Sequence, residues 1–273
     1  MAREPEAGPR RRTKVARAIA LVAVIGVGVP AGVVATRTPS LARSWDEDVR
    51  ILSGVVPEDD GRIRLTQVRD WRYTTDSVVS KDYFSETYDP DDVLGLWMYE
   101  QELGMGGRIA HTFLVFEFPE SYGRGRWLGL SVETRREVGE TYSIVRGMMR
   151  GFELTHMWAT EADLVRRRVE YLDYPLTRYR VTVAPEHVAR LFRRFTEETA
   201  SLAERPRWYN TLTTNCTSSL VAYVNDVQPG AIPRHYSRVF TGRADTHLAA
   251  LGYLDLDSAQ PVTRDWLAGN ALR

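Results

Sequence analysis

Covalent chemistry in this chain has few carriers, because it holds one cysteine and five histidines in 273 residues. A lone Cys216 excludes an intramolecular disulfide and a multi-cysteine zinc site. A single thiol is either a small buried hydrophobe or a nucleophile, and its surroundings decide between them. In Trp208-Tyr209-Asn210-Thr211-Leu212-Thr213-Thr214-Asn215-Cys216-Thr217-Ser218-Ser219-Leu220, cap-forming residues lead into an apolar helical run. Asn215 is therefore the expected N-cap and Cys216 the first helical residue. A helix start offers unpaired N–H groups and the positive end of the dipole. Both favour the thiolate, which is the nucleophilic form.

A thiolate nucleophile needs a base, and the base needs an orienting group. His111 opens Ile109-Ala110-His111-Thr112-Phe113-Leu114-Val115-Phe116-Glu117-Phe118, an apolar stretch with the character of a central strand. Pairing Phe118 with Trp127 across the intervening turn sets His111 opposite Thr134 and beside Glu133. A slip of one residue sets it directly opposite Glu133, and the sequence does not choose between the registers. Glu133 is then the orienting carboxylate, with an ion pair to Arg135 or Arg136 as its alternative use. Asn215, Arg135 and Tyr209 are expected as supporting or substrate-binding residues. His156, His187, His235 and His247 have weaker cases. None forms a His-x-His or His-x-x-x-His pair, so neither a metal site nor a cofactor is expected.

These residues need elements to hold them. Strands are expected within Arg62–Val79 and at Val93–Glu100, Ile109–Phe118, Trp127–Glu133, Phe152–Trp158 and Tyr179–Val183. Helices are expected at Leu41–Ser53, Thr160–Tyr171, Pro185–Ala203 and Asn215–Val227, with a turn at Asp89-Pro90-Asp91-Asp92. Thr160 with Asp163 resembles a capping box, and Pro185 sits at a first-turn position. The order predicts an α+β fold, an antiparallel meander with flanking helices. Lys and Arg number 36 against 36 Asp and Glu, and only Lys14 and Lys81 are lysines. That balance gives no field for nucleic acid.

The N-terminus sets the compartment. Arg3, Arg10, Arg11, Arg12 and Lys14 precede eighteen uncharged residues from Ala18 to Ala35, the pattern of a membrane signal with its basic flank in the cytoplasm. The expected organisation is a cytoplasmic segment at 1–14, an uncleaved single-pass anchor at 15–36, a juxtamembrane helix and linker at 37–60, and an extracytoplasmic domain at 61–273. The expected location is the bacterial cytoplasmic (inner) membrane.

Three ordered blocks carry a resemblance: Ile109-Ala110-His111-Thr112-Phe113-Leu114, Ser131-Val132-Glu133-Thr134-Arg135-Arg136-Glu137, and Trp208 through Thr217. Together they resemble the signature blocks of the Lnb N-terminal periplasmic domain family, over roughly Trp71 to Tyr236. That family is linked to bacterial lipoprotein N-acylation, in which a fatty acyl group moves from a membrane lipid to the α-amine of a lipoprotein. The resemblance implies Cys216 as acyl-accepting nucleophile and His111 as its base. The order of histidine strand and cysteine helix is also similar to circularly permuted papain-like proteins, in which Glu133 would be the third member. The implied partners are a membrane phospholipid as acyl donor and a lipoprotein or peptide as acceptor. Acyltransferase members of the family carry further membrane spans, which adds a membrane partner protein to the expectation.

Two other functions compete with acyl transfer. A papain-like peptidase or amidase acting on cell-wall peptide would use the same dyad, and a binding module would use none of it. An apolar channel opening toward the anchor favours lipid, a polar surface groove favours peptide, and a thiol far from every histidine or sealed in an apolar core favours the binding module.

Overall fold

The computed structural model describes residues 36–104 and 106–269, together with Gly32 and Val34. The expected membrane anchor lies almost wholly outside the described residues. Among those described, no helix is long and apolar enough to cross a membrane. The chain divides into Met1–Pro39 and Ser40–Arg273, and the second unit carries the fold.

Among the described residues nine strands form one sheet: β1 Gly54–Pro57, β2 Ile63–Tyr73, β3 Val78–Tyr88, β4 Gly95–Gly104, β5 Ile109–Glu117, β6 Trp127–Arg135, β7 Glu153–Thr160, β8 Leu176–Arg180 and β9 Gln260–Val262. Their order is β1-β2-β7-β6-β5-β4-β8-β9, with β3 also paired to β2. All pairings are antiparallel except a single parallel bridge, Arg69 to Ala159, between β2 and β7. The run β4 to β7 is the expected meander. The helices are α1 Glu47–Arg50, α2 Ile144–Met148, α3 Glu161–Arg166, α4 Pro185–Glu204, α5 Cys216–Val227, α6 Ala244–Ala250 and α7 Arg264–Gly269. The α+β class is therefore as expected.

β5 explains the architecture. Its Leu114 and Phe116 pack with Phe192 and Phe195 of α4 and Leu220 of α5, while its Phe113 and Val115 pack with Leu164 and Val165 of α3 on the opposite face. A strand buried on both faces reads as a continuous apolar run. α4 begins at Pro185, whose fixed φ and missing N–H suit a first turn. It buries Val188, Leu191, Phe192, Phe195 and Leu202 at helical spacing.

Two expectations need correction, and one strand was not expected. The helix expected over Leu41–Ser53 is only Glu47–Arg50, because Trp45 bridges Glu137 in extended conformation and the Asp46 carboxylate caps the backbone at Glu47. The strand expected at Tyr179–Val183 runs instead from Leu176 to Arg180, with Val181 held by an isolated bridge to Leu254. β3 had no clear signal: only Phe84 and Tyr88 of its eleven residues are buried, since it borders the sheet on β2 and shows most of its side chains to water.

Candidate functional site

The site lies where β5 and β6 part. Their ladder runs from Glu117–Trp127 to Phe113–Ser131 and stops there. Continuing that register sets His111 opposite Glu133, the alternative one residue away from a Phe118–Trp127 pairing. α5 packs against both strands beyond the last rung, so its first residue fills the gap. Asn215 builds that helix start: its side chain accepts from the Ser218 N–H at 2.8 Å, and the Ser218 hydroxyl accepts from the Asn215 N–H at 2.8 Å. The Asn215 amide also donates to the carbonyls of Thr211 (2.8 Å) and Arg238 (2.7 Å). The expected supporting role of Asn215 is thus a capping role that ties three segments together.

Cys216 is buried at 6% exposure. Its sulfur lies 3.9 Å from the Thr217 hydroxyl, and the His111 ring and the Thr112 backbone N–H are near enough to favour its charged form. The ring is oriented from its other side. Ser131 Oγ donates to Glu133 Oε1 at 2.7 Å, so it accepts the His111 Nε2–H, also at 2.7 Å. Nε2 is 3.3 Å from Glu133 Oε1. With Nε2 carrying that proton, Nδ1 is the nitrogen left for the thiol.

Charges in this network reinforce one another. Burial disfavours a charged His111, but the Glu133 carboxylate and the Cys216 thiolate outweigh it and push its pKa up to about 9. Burial likewise raises the Cys216 thiol, yet His111, the Thr112 N–H and the Thr217 hydroxyl bring it below its ordinary value. Glu133 is held well below the usual carboxylate range against its own desolvation, first by His111 and then by Arg168. Each charge thus favours the other, and the network biases the pair toward thiolate and imidazolium.

Arg168 was not legible as a site residue. It sits in the π-helical turn after α3, is 2% exposed, and donates to Glu133 Oε1 (3.0 Å), Ser131 Oγ (3.3 Å), Gln101 Oε1 (2.9 Å) and the Leu164 carbonyl (2.9 Å). Its guanidinium also lies over the Phe113 ring. The charged look of Thr160–Tyr171 reads as a solvated helix, and nothing local marks one arginine of that run as buried. Ser131 did leave a signal, since it precedes Glu133 by two and so shares its face of the strand.

Arg135 is not the partner of Glu133. It donates to the carbonyls of Val49 (3.1 Å) and Arg50 (2.9 Å) and stacks on Trp45, while Arg136 pairs with Asp48 at 3.1 Å. Each step of two residues along a strand carries a side chain roughly 6.6 Å from its neighbour on the same face, which leaves Glu133 to Arg168. Tyr209 lies in the segment that leads into α5. It is buried, and desolvation first, then the Cys216 thiolate and Tyr142, hold its phenol protonated as a hydrogen-bond donor. His156 packs in the core with Nδ1 on Thr199 at 2.9 Å.

The other face of the sheet carries a different environment. Glu100, opposite Thr112 on β4, is 8% exposed, and its Oε2 has no partner among the described residues. Burial, and then the Asp245 carboxylate, push its pKa up to about 8. From Met98, the preceding residue on that face, an apolar cavity of about 120 Å³ extends between the sheet and α5. Leu96, Leu114, Val188, Leu191 and Leu220 line it, and Thr112 and Thr217 close its wall. Thr217 is the neighbour whose hydroxyl lies 3.9 Å from the Cys216 sulfur, and the Thr112 N–H favours its charged form.

The blocks that converge here are also those that a family model recognises: the Lnb N-terminal periplasmic domain matches residues 80–245. The chain belongs to that family. The Lnb domain match spans β3 to the start of α6 and includes Cys216, His111, Ser131, Glu133 and Arg168. A family of periplasmic domains agrees with the extracytoplasmic location expected from the N-terminal sequence. No curated protein and no solved structure matches the chain significantly.

Proposed function

We propose that this Lnb domain is a membrane-anchored, extracytoplasmic thiol acyltransferase, with Cys216 as nucleophile, His111 as general base and acid, and Glu133 as the group that orients His111. The observation that carries the reading is the apolar cavity whose lining includes Thr112 and Thr217, two of the groups that favour the charged form of the Cys216 sulfur. An engineered apolar cavity of roughly 150 Å³ binds benzene, so this one suits the first methylenes of an acyl chain whose carboxyl carbon lies at the thiol. A buried thiol at a helix start beside a strand-borne histidine also fits a circularly permuted papain-like arrangement.

The chemistry balances on these residues. The thiolate attacks the ester carbonyl of a phospholipid, the carbon–oxygen bond to glycerol breaks, and the His111 imidazolium protonates the departing alkoxide. An acceptor amine, such as a lipoprotein N-terminus, then attacks the thioester. The carbon–sulfur bond breaks, neutral His111 takes the amine proton, and the ion pair is restored. The Cys216 N–H at the helix start and the protonated Tyr209 hydroxyl are suited to meet the oxyanion.

Mass spectrometry tests this on the full chain in detergent, incubated with phosphatidylethanolamine micelles. A hydroxylamine-sensitive gain of one fatty acyl group in the wild type, absent from Cys216→Ala and His111→Ala, is the expected result. Free fatty acid released without an adduct or acylated amine would turn the reading to a hydrolase. An unmodified thiol inert to iodoacetamide would turn it to a binding module.

A further inference from the structure

Three segments surround the start of α5 and are joined by hydrogen bonds. Residues 141–151 contain α2, residues 208–215 lead into Cys216, and residues 231–243 form the stretch before α6. Thr211 Oγ1 donates to the Ile144 carbonyl at 3.1 Å, and the Asn210 amide donates to the Met148 carbonyl at 3.2 Å, which joins the first segment to the second. The Asn215 amide joins the second to the third at the Arg238 carbonyl. The third is pinned beside His111, because Thr241 Oγ1 accepts from the Ala110 N–H at 2.9 Å. Gly242 also sits so close to the Gly107 carbonyl that a Cβ would collide with it. The three segments therefore make one surface around both members of the dyad.

That surface is unusual in what it shows to water. Val145 and Tyr236 are 57% and 59% exposed, and Met148, Leu212, Val239 and Phe240 are also exposed. Each segment contributes, so the apolar side chains are not scattered singly. Charge on the three segments is one-sided: they contain Arg146, Arg150, Arg234, Arg238 and Arg243 and no Asp or Glu. Glu140, which pairs with Arg146, precedes the first segment, and Asp245 follows the third. Beyond Arg37 the chain as a whole is mildly acidic, so this basic concentration runs against its average.

We infer that this face docks on an anionic lipid bilayer, with its aromatic and aliphatic side chains entering the interface and its arginines meeting lipid phosphates. Large apolar side chains interleaved with arginine match an interface that is apolar below and anionic above. An apolar protein partner would account for the hydrophobic exposure but not for a basic excess of four, the five arginines less Glu140, which pairs with Arg146. The inference stands on exposure and charge and rests on none of the chemistry proposed for Cys216. If it holds, the thiol lies on the side of the domain that meets the lipid.

A reporter fluorophore tests it in the full chain. On a Cys216→Ala background, Leu212→Cys, Val145→Cys and Val79→Cys are each labelled with an environment-sensitive dye. Val79 is 63% exposed on the outer strand β3 and serves as the control. Each protein is reconstituted with vesicles of phosphatidylethanolamine and phosphatidylglycerol whose acyl chains carry a quencher. Dyes at positions 212 and 145 are expected to shift to the blue and be quenched, with position 79 unchanged. Replacing Arg234 or Arg243, both exposed, by Gln should lower the docked-to-free ratio about fivefold per arginine, and pure phosphatidylcholine should abolish most docking. Dyes at 212 and 145 as water-exposed as that at 79 would overturn the inference. A face that docks only on a protein gives that same result in pure lipid vesicles.

Discussion

Glu133→Gln isolates the charge that holds His111 protonated, because glutamine keeps the shape and an oxygen for Ser131 while removing the carboxylate. At 3.3 Å, two unit charges interact by about 5 kcal/mol at an effective dielectric of ~20. Both side chains keep some contact with water, at 13% and 21% exposure, and opposite charges at such range move a pKa by about 1–3 units. A loss of about 2 units, or ~2.7 kcal/mol, brings His111 from about 9 to near 7. The thiolate–imidazolium form then falls about 100-fold relative to the neutral pair. Because Cys216 is the only cysteine, iodoacetamide alkylation of the whole chain reads this one thiol. In the wild type the rate should rise through a pKa below the ordinary thiol value. In Glu133→Gln the rise should move to higher pH, with the neutral-pH rate reduced about 10- to 100-fold. A variant profile superimposed on that of the wild type would refute the argument that Glu133 sets the charge of the dyad.

Arg168→Met leaves the Glu133 carboxylate and the Leu164 carbonyl without their buried donor, and should cost about 3–5 kcal/mol in urea unfolding. Its alkylation profile should shift less than that of Glu133→Gln, because the carboxylate beside His111 remains. Leu114→Phe fills part of the cavity and should lower the yield of acyl adduct by mass spectrometry, while iodoacetamide reactivity stays at the wild-type level. Equal loss of both readouts would separate the cavity from acyl binding. His156 is held neutral by burial, and its pKa is pushed down to about 3, so the folded state binds fewer protons than the unfolded state between that value and 6.5. Its contribution to stability is complete above pH 6.5 and should fall by about 1.4 kcal/mol per pH unit below it. Urea midpoints at pH 7 and pH 5 should differ by less in His156→Leu than in the wild type. His111 has the opposite sign: its raised pKa gives stability that is complete below 6.5 and is lost as pH rises through about 9.

Local sequence determined the elements that carry the dyad. The cap-rich run before Cys216 specifies a helix start because Asn215 and Ser218 satisfy each other's backbone groups within four residues. The apolar stretch Ile109–Glu117 specifies a central strand because each of its faces meets a core cluster. The three blocks that resembled the Lnb domain family lie within the residues its model matches. Register was not determined. A shift of one residue exchanges the two faces of a strand, and the ladder observed between Phe113 and Ser131 was the second of two permitted alternatives. Arg168 was hidden for a different reason: burial of its guanidinium depends on Glu133 and Gln101, 35 and 67 residues away, and no local pattern records such a partner. Arg135 bonds away from Glu133, at the Val49 and Arg50 carbonyls, because nearness in sequence is not nearness in space once the strand extends past it. The cavity beside the thiol belongs wholly to tertiary structure, since it is an imperfect fit between α4, α5 and the sheet. A sequence states which side chains are apolar, but only their packing leaves a space between them.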